Sequence, residues 1–260
     1  MNAKRLTAIL LVGILLSSLA APAGAAKRIL LKPTPTLSPT PAIPTIAESI
    51  RENALQVGSI VTFGQYEQDS EESNGKEPIE WQVLATEGNK ALLLSKYGLD
   101  AKPYNTEWKE VTWETCTLRS WLNKDFLNAA FSAEEQNAIL TMAVDNGKSQ
   151  GNPEWSTSGG NNTNDKVFLL SYAEAWTYFK DDNARKCAPT EYAVKQDAYT
   201  DSSYKVDGRA TCLWWLRSPG YYQNFAAAVF NGGSGFNDSV NNRYNAIRPA
   251  FWVNLESEVF

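Results

Sequence analysis

A chain of 260 residues, 43% hydrophobic and 12% aromatic with 9 Trp, carries enough apolar mass for one large domain plus accessory segments. Its formal net charge of -5, with no basic stripe beyond the N-terminus, argues against an electrostatic nucleic-acid binder. The absence of His removes Ser-His-Asp and Cys-His catalysis, imidazole metal ligation and the commonest general base.

The N-terminus reads as a secretory signal peptide over residues 1–26. Lys4 and Arg5 precede the apolar run Leu6–Leu19, and Ala23-Gly24-Ala25 offers a small-residue cleavage site just after Pro22. Cleavage there starts the mature chain near Ala26. The apolar run is short for a full span, so no membrane span is expected after cleavage. No Cys directly follows it, which argues against a lipid anchor. Residues 27–56 form a Pro/Thr-rich linker, with Pro at almost every second or third place of Lys32–Thr45; such a segment is extended, semi-rigid and unable to join a core.

Residues 57–260 are read as one folded domain. Strands are expected at Val57–Tyr66, Ile79–Thr86 and Lys90–Ser95, separated by acidic and Gly-containing turns, as an antiparallel meander. A helix over Thr117–Ala130 would place Leu118, Trp121, Leu122, Phe126 and Ala129 on one face. Ser132 with Glu135 is a capping-box signature for a second helix through Met142. Gly147–Asn164 reads as a long loop and Lys166–Leu170 as an apolar strand. Ser171 with Glu174 opens a helix over Tyr172–Phe179, and Pro189 suits the first turn of another toward Ala198. Strands return at Leu213–Arg217, Phe225–Phe230, near Val240 and over Ile247–Leu255. Strands and helices do not alternate regularly, so the fold class is α+β rather than a parallel-sheet architecture.

Between two apolar blocks, the 25 residues Tyr221–Asn245 include 6 Asn, 3 Tyr and 3 Phe, with no Lys, Glu, Met or Trp. Tyr and Phe give rigid contact area at low entropic cost, and Asn, Ser and Gly give adaptable hydrogen bonds, the composition of a recognition surface. The candidate ligand-binding residues are the aromatics Tyr221, Tyr222, Phe225, Phe230, Phe236 and Tyr244, the amides Asn224, Asn231, Asn237, Asn241 and Asn242, and Asp238 with Arg243. Arg217 and Arg248 bracket the window and are read as structural, satisfying loop carbonyls or a carboxylate. Trp214, Trp215 and Trp252 are read as core, with strand alternation letting only one of the first two point inward on a half-exposed sheet.

No catalytic residue and no cofactor is assigned. Three scattered Cys (Cys116, Cys187, Cys212) lack zinc-site spacing; one bridge with three open pairings is compatible with them, and buried thiols are the preferred reading. The adjacent carboxylates Glu134-Glu135 and Asp181-Asp182 are read as helix ends rather than a catalytic pair. Asp238 with neighbouring amide oxygens leaves calcium open, although turn formation suits those residues better.

The block Trp214-Trp215-Leu216-Arg217-Ser218-Pro219-Gly220, the Asn- and Gly-rich window and the closing Arg248-Pro249-Ala250-Phe251-Trp252-Val253-Asn254-Leu255 carry a resemblance. So do Glu80–Leu84, Leu92–Tyr97 and Arg119–Asn123, so that it covers most of Val57–Leu255. The chain resembles exported bacterial proteins of the DUF6273 group, some of which are similar to variable proteins of diversity-generating retroelements. The resemblance implies a C-type-lectin-like fold of the formylglycine-generating-enzyme type. It also implies a ligand-binding segment in which adenines are rewritten. An AAC codon altered at its first two positions yields Tyr, Phe, Asp, Ser, Gly, Ala, Val or Arg, but never Lys, Glu, Gln, Met or Trp. Only Gln223 breaks that exclusion within the window. The partner expected is a protein or glycan on a cell, phage or host surface. The rival readings are a structural envelope module and a carboxylate-based glycan-processing enzyme.

Overall fold

The computed structural model describes residues 56–259, so the expected signal peptide and nearly all of the expected linker lie outside the described residues. No helix among the described residues is long and apolar enough to cross a membrane.

Two sheets organise the domain. The first has the order β1 (Ile60–Tyr66), β2 (Glu77–Glu87), β3 (Lys90–Ser95) and β13 (Ala250–Asn254), all antiparallel. Strand alternation drives it: Ile79, Trp81 and Val83 of β2 are fully buried while Glu80 and Gln82 turn outward. The Trp81 indole N–H, which needs a partner inside, donates to the Phe63 carbonyl at 2.7 Å. Trp81 meets Phe251 edge-on at 4.6 Å, and Phe63 and Phe131 complete the aromatic centre. At Gly64, φ is +68° and an added Cβ would lie 2.6 Å from the Ala130 carbonyl oxygen, so only Gly fits the irregularity between Thr62 and Gln65.

The second sheet has the order β11 (Gly235–Ser239), β10 (Phe225–Val229), β9 (Trp214–Pro219), β12 (Ala246–Ile247) and β4 (Asp100–Ala101). It is antiparallel except for the β12–β9 pairing. The expected strand Ile247–Leu255 is therefore two strands. Arg248-Pro249 separates them, and the chain passes there from the second sheet to the first. Proline has no N–H to give a ladder, which suits it to the crossing point. Both Trp214 and Trp215 are fully buried, so this sheet is covered on both faces; the expectation that only one would point inward is corrected. Their indole nitrogens donate to the Arg185 and Lys102 carbonyls.

The helical segments lie between. Cys116 caps α1 (Thr117–Trp121), which continues as a π turn (Leu122–Phe126) into α2 (Leu127–Ala130). The wide turn rotates the helix phase. Leu118, Leu122 and Phe126 are buried as expected, but beyond the turn Leu127 and Ala130 face inward and Ala129 is exposed. The capping box of Ser132 and Glu135 opens α3 (Ala133–Ala138). That helix stops well before the expected Met142, because Ile139 and Leu140 are taken up by β13: Ile139 bridges Val253 and the Leu140 N–H donates to the Trp252 carbonyl. Met142–Val144 then forms β5, paired with β6 (Thr163–Asp165).

Lys166–Leu170 forms no regular strand. Its apolar residues Val167–Leu170 are buried, but only Phe168 bridges Ala250, and the Asn123 side chain accepts from the Lys166 and Val167 N–H groups. The Ser171 and Glu174 capping box starts α4 (Tyr172–Tyr178) as expected. Asp181 caps the short α5 (Asp182–Arg185). Thr190 caps α6 (Glu191–Lys195), leaving Pro189 just outside the helix. A hairpin that the sequence reading missed follows, β7 (Thr200–Val206) and β8 (Arg209–Cys212). Together the elements make an α+β domain dominated by antiparallel strands.

Candidate functional site

The window Tyr221–Asn245 hangs on β10 and β11. Ala226–Val229 of β10 are buried between neighbouring strands and supply a stiff base. The entry turn is tight: a Cβ at Gly220 would come within 2.7 Å of the Phe225 Cβ. Thr157 holds the same turn by donating to the Gly220 carbonyl at 2.6 Å.

The hairpin splits the candidate residues into two groups at opposite ends. Phe225 pairs with Ser239 and Val229 with Gly235, so the five-residue strands set the ends roughly 13 Å apart at ~3.4 Å per residue. At the first end Tyr221, Tyr222 and Tyr244 are 54%, 60% and 49% exposed. Tyr222 stands edge-on to Tyr221 at 4.8 Å and to Phe225 at 5.7 Å. Asn241 and Arg243 are exposed, whereas Asn224, Phe225, Asn237, Asp238 and Asn242 are half-buried. Phe225 is thus a supporting ring rather than the exposed anchor expected.

At the second end Phe230 lies 5.8 Å from Phe236 and 6.1 Å from Tyr204 of β7. Phe236 is exposed, but Phe230 is half-buried, which corrects the expectation of full exposure. Asn231 is corrected outright. It is 0% exposed and its amide donates to the Thr211 carbonyl at 2.6 Å, so it joins β8 to the hairpin and is no free contact residue.

The amides around Asp238 act as turn formers. Asn242 and Asn245 donate to its Oδ2 at 2.6 and 2.9 Å, and the Ser239 N–H donates to Oδ1. Amide nitrogens, not amide oxygens, face the carboxylate, which fits the turn reading better than a calcium cage. Asn237 accepts from the Tyr221 N–H. Gln223, the residue that breaks the codon exclusion, is fully engaged by backbone: its amide donates to the Val111 and Ser158 carbonyls and accepts from the Ser158 N–H.

Sequence reasoning missed two aromatics beside the first end. Trp108 is 65% exposed, on a loop whose Asn105 N–H donates to Val240 O and whose Val111 N–H donates to Gln223 O. Tyr199 is exposed, and its N–H donates to the Tyr244 carbonyl. Trp108 sits among Glu107, Lys109 and Glu110; an unsupported Trp in so polar a stretch was the available signal.

The flanking arginines are structural. Arg217 is buried and makes a two-point contact with the Glu174 carboxylate, also donating to the Leu169 and Asp145 carbonyls. Arg248, equally buried, donates through Nε to the Ser95 carbonyl and stacks over Trp214 at 5.0 Å and Phe179 at 5.3 Å, and among the described residues no carboxylate pairs with it.

Elsewhere, Glu135 receives the Ser132 and Gly64 N–H groups and Asp182 pairs with Arg185, so these carboxylates hold helix ends and turns. Two of the larger concavities, about 670 and 480 Å³, are lined by Gln65, Lys76 and Glu134 and by Lys148, Tyr172 and Trp176; the second adjoins the far end of the window, where a Cβ at Gly235 would lie 2.8 Å from the Tyr172 hydroxyl and 3.3 Å from the Trp176 ring. Among the described residues Glu67, Asp69 and Glu77 bring their oxygens within 4.8 Å of one another, hard-donor chemistry if any cation is held. Asp69 and Glu77 already accept from Asn74 and from the Glu71 and Gln68 N–H groups, which are turn contacts, while the Glu67 Oε1 is buried without a hydrogen-bond partner.

A family model described as "Domain of unknown function (DUF6273)" matches residues 88–255, well over half of the chain. No curated protein and no solved structure matches.

Proposed function

The chain belongs to the DUF6273 family, and from that premise we propose that it is an exported ligand-binding protein of C-type-lectin-like fold. It recognises a surface protein or glycan of a cell, phage or host through the first end of its C-terminal hairpin. The observation that carries this reading is the exposed set Tyr221, Tyr222 and Tyr244 on the turns at one end of the largely buried strand β10, with exposed Trp108 on the loop beside them. Rigid aromatic anchors surrounded by Asn and Arg lose little entropy on contact, so recognition follows without rearrangement of the base. Asn241, Asn242 and Arg243 supply the polar rim, and Phe236 serves a lesser patch at the other end.

Diversification of this segment is supported by Gln223. The one window residue outside the reach of an altered AAC codon is the one whose amide is bound by backbone on three sides. Its identity is fixed by the scaffold, while the exposed neighbours carry no such duty.

Two measurements test the reading. Labelled protein is applied to intact cells, phage and a glycan array beside a Tyr221→Ser/Tyr222→Ser/Tyr244→Ser variant. Loss of the binding signal with an unchanged melting temperature is expected; equal binding by both proteins would overturn the site. Sequencing around the coding region is expected to show a near-identical repeat of codons 221–245 that differs at adenines, beside a reverse transcriptase. Absence of the repeat removes the diversification and leaves a fixed binding surface.

A further inference from the structure

Cys187 and Cys212 are both fully buried, and their backbones are joined: the Cys212 N–H donates to the Cys187 carbonyl at 2.8 Å. One backbone hydrogen bond between two residues holds their Cα atoms roughly 5 to 6.5 Å apart, inside the range that a cystine spans. The Cys212 thiol donates to the Cys187 carbonyl at 3.4 Å and the Cys187 thiol to the Ala188 carbonyl at 3.4 Å, and the two thiols are near enough to perturb each other's titration. Cys116 is engaged elsewhere, with the Trp113 carbonyl and as the cap of α1.

The surroundings set the two thiols apart chemically. Among the described residues no carboxylate pairs with the buried Arg248, and its Nη1 has no hydrogen-bond partner. A buried guanidinium left in this way is costly unless an anion stands near it. Burial raises the Cys187 thiol, but the neighbouring Cys212 thiol and the Arg248 charge outweigh it and bring it down to about 7. Burial, together with the neighbouring Cys187 sulfur, lifts Cys212 well above the ordinary thiol range. Burial lifts Cys116 likewise, to about 12. Cys187 is thus the most readily ionised of the three thiols, Cys212 its neighbour and Cys116 the inert one.

We propose that Cys187 and Cys212 are a cystine-forming pair, cross-linked by a small-molecule or protein disulfide, with Cys116 left as a thiol. The Cys187 thiolate attacks one sulfur of the oxidant's disulfide, forming a mixed disulfide and releasing one oxidant thiolate. That thiolate takes the Cys212 proton. The Cys212 sulfur then attacks the Cys187 sulfur, breaking the mixed disulfide and releasing the second oxidant half as a thiolate, which is protonated by solvent. Two protein thiols are oxidised by two electrons as one external disulfide is reduced to two thiols. Because both sulfurs are buried, the exchange takes place while the chain folds or when β7–β8 lifts locally. The bond staples β8 to the Cys187–Thr190 segment and closes a loop that contains α6 and the β7–β8 hairpin.

The experiment refolds the full chain with glutathione disulfide and glutathione, blocks free thiols with iodoacetamide and maps the digest by mass spectrometry. The expected product is a Cys187–Cys212 linked peptide with alkylated Cys116, formed equally in Cys116→Ser. A loop of roughly 25 residues should raise the melting temperature by roughly 6 to 12 °C, reversed by dithiothreitol. Folded protein with Cys187 and Cys212 both alkylated, a link to Cys116, or a linked pair in a chain that has lost its folded signature would each overturn the proposal.

Discussion

Replacing Arg217 by Met tests whether the arginine at the window's edge belongs to the scaffold or to the ligand. The change leaves four acceptors without their donor: the Leu169 and Asp145 carbonyls, the Asn146 Oδ1 and the Glu174 carboxylate. An unsatisfied buried acceptor costs about 1 to 3 kcal/mol. The Glu174 side chain is 27% exposed, so water takes over part of its share. Glu174 also retains the Ser171 N–H of its capping box, which limits the damage at that end. The expected total is about 3 to 5 kcal/mol, the range for breaking a buried charged pair from one side. With a urea slope near 2 kcal/mol/M, that is a midpoint shift of roughly 1.5 to 2.5 M. Glu174→Gln should cost less, and the double variant should cost less than the sum, because the two residues share one contact. Urea melts followed by tryptophan fluorescence measure all three. A loss below about 1 kcal/mol for Arg217→Met would refute the structural role.

Three further outcomes are expected. Ala at Tyr221, Tyr222 or Tyr244 should change stability by about 0.5 kcal/mol or less, while Leu216→Ala, fully buried in β9, should cost about 2 to 5 kcal/mol; denaturant melts showing equal losses would make the tyrosines core. Asp238→Ala should destabilise the turn by about 1 kcal/mol through the orphaned Asn245 amide, with no response to millimolar calcium or chelator in thermal melts; a calcium-dependent rise that vanishes in the variant would establish a cation site instead. Burial raises Asp100 more than Lys102 and the Tyr66 hydroxyl lower it. The folded chain then keeps that proton to higher pH than the unfolded one, so this residue's contribution to stability falls as pH rises from the unfolded carboxylate value through the folded one. Asp100→Asn should lose that slope, and parallel melting profiles of the two proteins over this interval would count against the assignment.

The elements that were legible in the sequence are those fixed by local chemistry. The two capping boxes announce α3 and α4 because a Ser hydroxyl and a Glu three residues on satisfy each other's ends. The first three strands follow from alternation. Elements decided by distant partners were not legible. Ile139-Leu140 continues a helical pattern, yet β13 captures it, and Ile247–Leu255 reads as one run although two sheets divide it. The β7–β8 hairpin was available: Asp207-Gly208, both at positive φ, is a strong turn signal, but the polar strands around it lack an apolar stripe. For the candidate site, composition marked the window but not its geometry. Asn231 and Asn241 look alike in sequence; pairing to Thr211 buries one and leaves the other at a turn. Trp108 was missed because it comes from a different part of the chain, brought alongside only by the Val240 and Gln223 contacts.

The pairing of β13 with β3 also orders events in time. Leu94 and Ala250 lie about 150 residues apart, a separation that makes loop closure slow. Until the ribosome has delivered the last strand, β3 presents an unpaired edge, and Trp81 and Phe131 lack the Phe251 ring that seals them. A nascent chain in that condition is sticky along one edge and loose at its centre, the state that holding factors bind. The first sheet therefore waits for a strand only five residues long.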